Sequence, residues 1–334
     1  MPENINVTPP PSAMKPTARQ WLFHSLLFIA TAVTTTIAGI LFAGGDPGLV
    51  GGDMSSAGLP WSLLMVPVLY VKVVIAIIGA SFHHPQLLLD GLKFSGALLA
   101  ILTAHESGHY VCCRYYGVEA TLPFFIPQPP LLWPGTFGAF IRMKSPVPSR
   151  RALFDIGLAG PLAGFAVILP VAFAGILTLK QSAPFTGDPG GGIYFNDPLL
   201  FRMIAWSLGI NLANSAANAF YLAAWFGALV TALNLMPVGQ LDGGHGTFAV
   251  FGRAGHYWIS RGVFVAMAAL SVLGMIWHSS PAYLVFLILL LVMLRVGHPQ
   301  PQQMEPLGPI RIATAVITVI VFALCFLPVP IIIT

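Results

Sequence analysis

Thr103-Ala104-His105-Glu106-Ser107-Gly108-His109-Tyr110 closes a hydrophobic run that begins near Leu87 and is long enough to enter a bilayer. An HExxH pattern at the end of a membrane segment decides both the fold class and the chemistry to look for. On a helix, His105 and His109 lie on one face, so both imidazoles reach one metal ion while Glu106 flanks it. Arg114 marks the end of the run, nine residues after His105. At helical rise this places the motif about 13 Å inside one membrane face.

The surrounding composition agrees with a membrane setting. Of 334 residues, 56% are hydrophobic and only 8% are charged, more apolar surface than a soluble core of this size needs. The net charge of +4 is spread without basic runs or interleaved aromatics, which argues against nucleic acid as a partner. Three cysteines without CxxC spacing supply neither a structural zinc cage nor an even disulfide framework.

Taken in order, residues 1–20 are proline-rich and read as a flexible tail. Residues 21–86 form N-terminal membrane segments: a span from Trp21 to Ala43, a Gly-rich loop to Pro60, and Trp61 to Ala80. The last carries Pro67 and Lys72 and is either a full span or a re-entrant piece. Residues 87–250 form the catalytic core, and 251–334 add further transmembrane helices. Within the core, 117–151 is too rich in proline and aromatics to cross as a helix, and Gly135 to Met143 suits a short extended hairpin. The bases Arg142, Lys144, Arg150 and Arg151 mark this loop as cytoplasmic. The expected fold is an all-α polytopic membrane protein of seven or eight transmembrane helices with a short membrane-associated β-hairpin or re-entrant segment.

Parity then links distant parts of the chain. One clear span, Phe154 to Leu179, separates the helix ending at His109 from the helix ending at Met236. Those two helices therefore cross in the same direction, and Asp242, just beyond Met236, returns to the face that holds His105 and His109.

A catalytic zinc takes three protein ligands and keeps one position open. The extended metzincin pattern fails, because Cys112 and Tyr115 stand where Gly and His are required. Glu119 is too near and Glu305 too distant to act as a glutamate ligand. Asp242 is the best remaining acid. His245, three residues on, is a hydrogen-bonding partner behind the ligands, an alternative ligand, or an ordinary turn histidine. Asp155 and Lys72 need partners that the sequence does not name.

HESGH at 105–109, with Asn234-x-x-Pro237-x-x-x-Leu241-Asp242-Gly243, resembles the site-2 protease family of intramembrane zinc metalloproteases, and most of all its EGY-type subgroup. The resemblance runs from about residue 87 to 250 and includes Gly135 to Met143 and Ala159 to Gly164. It implies one Zn2+ held by His105, His109 and Asp242, with Glu106 activating water and Asn234 holding substrate or transition state. No PDZ or CBS module can be placed. Ala163 and Gly164 stand where many members carry an asparagine, so no substrate contact is assigned there. The implied reaction is peptide-bond hydrolysis in or near a transmembrane segment of a membrane-protein substrate, within the lipid bilayer. Gly135 and Gly138 belong to an extended segment suited to hold the unwound substrate strand. A bacterial cytoplasmic membrane is preferred over an organellar one, with the site near the cytoplasmic face. A metal-ion transporter or channel is the competing reading, and an inactive membrane scaffold a third.

Overall fold

The computed structural model describes residues 16–44, 71–129 except 73, 134–181, 193–278, and 280–333 except 281, 297 and 299. Most of the expected N-terminal tail, the 45–60 loop and the first part of the 61–80 segment lie outside the described residues. The helices are α1 (Ala18–Gly44), α2 (Val74–His83), α3 (Pro85–Tyr115), α4 (Arg150–Leu177), α5 (Leu199–Leu208), α6 (Ala219–Asn234), α7 (Asp242–His278), α8 (Ala282–Arg295) and α9 (Pro309–Cys325). Four of them, α1, α3, α4 and α7, are by length and composition sufficient to cross a membrane, and the other apolar helices are shorter, at 10–17 residues. Large apolar side chains such as Leu22, Ile29, Val265, Ile276 and Val319 stand exposed on the helix surfaces, as they do where lipid is the solvent. The chain is an integral membrane protein.

In lipid, apolar faces gain little by meeting one another, so helices associate through close packing and hydrogen bonds. The contacts here follow that rule. Between α1 and α3, Gly39 meets Gly91 so closely that a Cβ on Gly39 would lie 3.0 Å from the Gly91 Cα. One turn away, the Thr35 and Ser95 hydroxyls pair at 2.7 Å. Residue numbers rise along α1 as they fall along α3, so the two helices are antiparallel. The centre of the bundle is formed by α3, α4 and α6, with Phe94, Ile168 and Trp225 fully buried.

The small sheet lies beside this bundle. Strands β1 (Phe124–Pro127) and β2 (Thr136–Phe140) pair antiparallel with Phe124 opposite Phe140, Phe125 opposite Ala139, and an irregularity before Pro127 opposite Thr136. The sequence reading placed the whole hairpin inside 135–143; its first strand instead lies upstream, at 124–127. The hairpin runs along α1. His24 Nδ1 meets the Pro123 carbonyl at 2.9 Å, and the Thr34 hydroxyl donates to the Gly135 carbonyl at 2.7 Å. Those α1 positions are ten residues apart, so the hairpin descends about 15 Å along the helix. Two short pairs, β3 (Lys180–Gln181) with β5 (Ser215–Ala216) and β4 (Ile193–Phe195) with β6 (Ile331–Ile333), lie beyond the C-terminal end of α4.

Asp155 finds its partner far away in sequence. Arg311, at the start of α9, contacts both carboxylate oxygens, with Nη2 to Oδ2 at 2.6 Å and Nε to Oδ1 at 2.9 Å. The Tyr116 hydroxyl, just after α3, donates to Asp155 as well. Burial, and then this bond to Asp155, push the Tyr116 hydroxyl up to about 12, so it stays a donor. The cluster ties α3, α4 and α9 at the motif-bearing face. Replacing Arg311 by Ala should cost about 1–3 kcal/mol by leaving Asp155 without its charged partner. Thermal unfolding in detergent should register this as a lower midpoint, with partial recovery in Arg311→Lys.

Candidate metal centre

His105 and His109 lie on the buried face of α3, 4% and 7% exposed. Asp242 is the first residue of α7, reached from the end of α6 by a tight turn. That turn needs the glycine after Asp242, because a Cβ on Gly243 would sit 1.9 Å from the Leu235 carbonyl oxygen. The result is a triangle of donor atoms. His105 Nε2 and His109 Nε2 are 3.1 Å apart, and Asp242 Oδ2 is 3.2 Å from the first and 3.3 Å from the second. Ligands around a tetrahedral ion with bonds of about 2.0–2.1 Å stand about 3.3–3.4 Å apart, so the spacing fits zinc.

The tautomer of His109 fits as well. Its Nδ1 meets the Ile156 carbonyl oxygen at 2.7 Å. A carbonyl only accepts, so Nδ1 carries the proton and Nε2 presents its lone pair to the centre of the triangle. Gly160 leaves room for this ring, since a Cβ there would lie 2.1 Å from His109 Nε2. A Cβ on Gly157 would lie 2.7 Å from the Cβ of His245, and Gly164 lies against His105. Gly157, Gly160 and Gly164 share one face of α4, and the helix continues through Pro161 between them. Small residues at 159–164 suit close helix contact by sequence, and Gly160 and Gly164 do meet α3 closely; the extension to Gly157 was not read. The i, i+3, i+7 glycine spacing was the available signal.

Glu106 is 3% exposed, with Oε1 4.0 Å from His105 Nε2, and the backbone N–H of Ile141 is in hydrogen-bonding reach of its carboxylate. All four groups line a cavity of about 400 Å³ whose other walls include Asn234 and residues 139–143. Asn234 ends α6, with its Nδ2 3.4 Å from His105 Nε2.

The wall made by 139–143 is a strand edge. Thr121 N–H donates to the Arg142 carbonyl and Lys144 N–H to the Glu119 carbonyl, so even-numbered residues face the first strand of the ribbon. By strand alternation the backbone groups of Ile141 and Met143 face the cavity side. Gly135 and Gly138 are elsewhere. Gly135 adopts φ +85° and packs on α1, where a Cβ would lie 2.6 Å from the Thr34 carbonyl oxygen; Gly138, at φ +96°, is open on its Cβ side. His245 lines the cavity, its Nδ1 pairs with His298 Nε2 at 2.8 Å, and it does not belong to the donor triangle.

A family model described as peptidase family M50 matches residues 93–277, more than half of the chain. The chain belongs to that family. Among curated proteins it is similar to a rice protein named "Probable zinc metalloprotease EGY1, chloroplastic", at 34% identity over 169 residues, 49% of this chain and 29% of the relative. An Arabidopsis thaliana protein named "Probable zinc metalloprotease EGY2, chloroplastic" is 32% identical over 179 residues, 52% of this chain and 31% of the relative. A rice protein of the same description, EGY3, aligns over 83% of this chain and 50% of its own length at 26% identity. The matched regions thus span between about a third and a half of these relatives. No solved structure matches.

The geometry separates two glycine and histidine positions by their effect on metal. Gly160→Ala should displace His109 and reduce zinc to well below one per chain. His245→Ala should keep close to one zinc per chain, because His245 is turned toward His298. Metal analysis of the purified variants checks both, and loss of zinc in His245→Ala would make it a ligand.

Proposed function

We propose that this chain is an intramembrane zinc endopeptidase that hydrolyses peptide bonds in or near transmembrane segments of membrane proteins. The observation that carries the reading is the convergence of His105, His109 and Asp242 at tetrahedral spacing, with Glu106 beside them in a cavity walled by the strand residues 139–143. When bound, zinc supplies Lewis acidity that polarises a peptide carbonyl and lowers the pKa of a water.

The protein's own groups do the rest. His105, His109 and Asp242 hold the ion, and the His109–Ile156 bond keeps one ligand in its productive tautomer. Glu106 takes the proton from the attacking water and returns it to the leaving amine. Asn234 offers its amide to the substrate or to the developing oxyanion. A transmembrane helix hides its amides in its own hydrogen bonds, so the segment to be cut must be extended first. The edge at Ile141 and Met143 then offers it backbone pairing. Gly135 and Gly138 support this edge from a distance, Gly135 by seating the hairpin on α1. Among the described residues one group of metal-competent side chains is found, which suits one resident ion better than a conduction path.

We also infer seven crossings. Because α1 and α3 are antiparallel, the C-terminal end of α1 and the N-terminal end of α3 lie on the same side. The N-terminal end of α1 then shares a face with the basic loop at 142–151, in agreement with the positive-inside bias. That face is cytoplasmic in a bacterial membrane, or its equivalent in an organelle; the chloroplast in the relatives' names lends no support to the bacterial location.

Two measurements test these readings. Glu106→Gln should retain zinc while cleavage of transmembrane peptides falls about a thousandfold, the scale of a lost general base; normal turnover by this variant would refute the mechanism. Reporter fusions at the N-terminus and in the 142–151 loop should report the same side of the membrane. Opposite sides would exclude the seven-crossing topology.

A further inference from the structure

A second cavity, of about 270 Å³, lies on the motif-bearing face next to the catalytic one, with Arg253, His256, Tyr257, Arg261, His298 and Gln300 in its wall. Two arginines and two histidines line it, and among the described residues no carboxylate does. His256 is 8% exposed and its Nδ1 has no partner among the described residues. An unpaired buried imidazole nitrogen in a cationic wall asks for an outside partner. Arg261 is held in place, its guanidinium 3.3 Å above the Tyr257 ring and Nη1 donating to the Tyr257 carbonyl, which leaves further N–H groups free to turn outward.

The position in the membrane narrows the ligand. At Gly252 the backbone takes φ 68°, ψ −173°, so the long α7 breaks, and its second half begins at Arg253. Exposed Trp258 and Trp277 bracket the apolar part of that half. They are 19 residues apart, about 28 Å at helical rise, close to the hydrocarbon thickness of about 30 Å. Arg253 and Arg261 therefore flank the aromatic boundary where lipid headgroups lie. Cationic lining, a buried imidazole without a partner and headgroup depth all favour an anion with several acceptor oxygens.

We propose that this cavity binds a phosphate group between Arg253, His256, Arg261 and His298. Its source is the headgroup of an anionic phospholipid in that leaflet or free phosphate. The site adjoins the catalytic cavity through one residue: His298 lines the second cavity, stacks on Phe248 at 4.2 Å, and pairs with His245 of the first.

The test uses the full chain in detergent and needs no peptidase activity, so it is independent of the proposed reaction. Native mass spectrometry with short-chain phosphatidylglycerol and phosphatidylcholine, and a parallel titration with inorganic phosphate, separate the sources. One saturable phosphatidylglycerol per chain, bound at least tenfold more tightly than phosphatidylcholine and lost in the double variant Arg253→Gln/Arg261→Gln, supports a lipid site. Phosphate binding with the same arginine dependence, and no lipid preference, supports the site with free phosphate as its ligand. The Lys double variant should retain binding, and Arg295→Gln, outside the cavity wall, should leave it unchanged. Should the Gln variant not fold, wild type alone decides: no saturable phosphate and no preference between the two lipids overturns the proposal. So does binding that survives loss of both arginines.

Discussion

The hydrogen bond from His109 Nδ1 to the Ile156 carbonyl is a constraint on which the rest of the bundle depends. It requires a histidine of α3 to touch the backbone of α4, and side chains of ordinary size would keep the two helices too far apart. Glycine at 157, 160 and 164 removes that barrier on one side. Gly108 removes it on the other, where a Cβ would lie 2.4 Å from the Ala159 carbonyl oxygen. Close approach then sets the depth of both histidines relative to α4. That depth in turn fixes where the turn after α6 must deliver Asp242.

Polar groups elsewhere in the bundle obey the same economy. Lipid offers them no partners, so each must be satisfied by the protein or reach an interface. Thr35 and Ser95 satisfy each other between α1 and α3, and Trp225 donates to the Asn196 carbonyl at 2.7 Å. Asp155 is held by Arg311 and Tyr116 at the membrane edge. The donor triangle follows another logic, since three groups with lone pairs converge on one point. A cluster of that kind in apolar surroundings is stable when a cation occupies its centre.

Much of this was legible in the sequence because it rested on spacing. The four-residue spacing of His105 and His109 set a shared helix face, and counting spans predicted that Asp242 returns to them; the 3.2 Å contact with His105 agrees. Pairings without local spacing were not legible. Asp155 and Arg311 are 156 residues apart, and nothing in either segment names the other. Nothing near His298 in sequence signals a partner, yet its Nε2 lies 2.8 Å from His245 Nδ1. The hairpin was found, but with its first strand displaced, because Phe124 to Pro127 looks from sequence like a proline-rich loop. The glycines at 135 and 138 signalled an extended segment with a close backbone approach, and Gly135 makes such an approach to α1.

In the proposed topology, the side of the N-terminus is read from the contact between α1 and α3, where composition alone leaves it open. Lys15 and Arg19 suggest a cytoplasmic tail, but a full crossing by 61–80 would reverse that assignment. The register between α1 and α3, with Gly39 on Gly91 and Thr35 on Ser95, requires opposite directions. The hairpin adds an independent requirement. Its open end meets His24 near the start of α1 and its turn meets Thr34 deeper in the helix, so α1 begins at the face from which the hairpin descends. That is the face where α3 ends and where residues 142–151 carry their positive charge. In the proposed topology, direction, depth and charge agree in placing the start of α1 and the end of α3 at one face, and the same arrangement sets the strand edge at Ile141 beside Glu106.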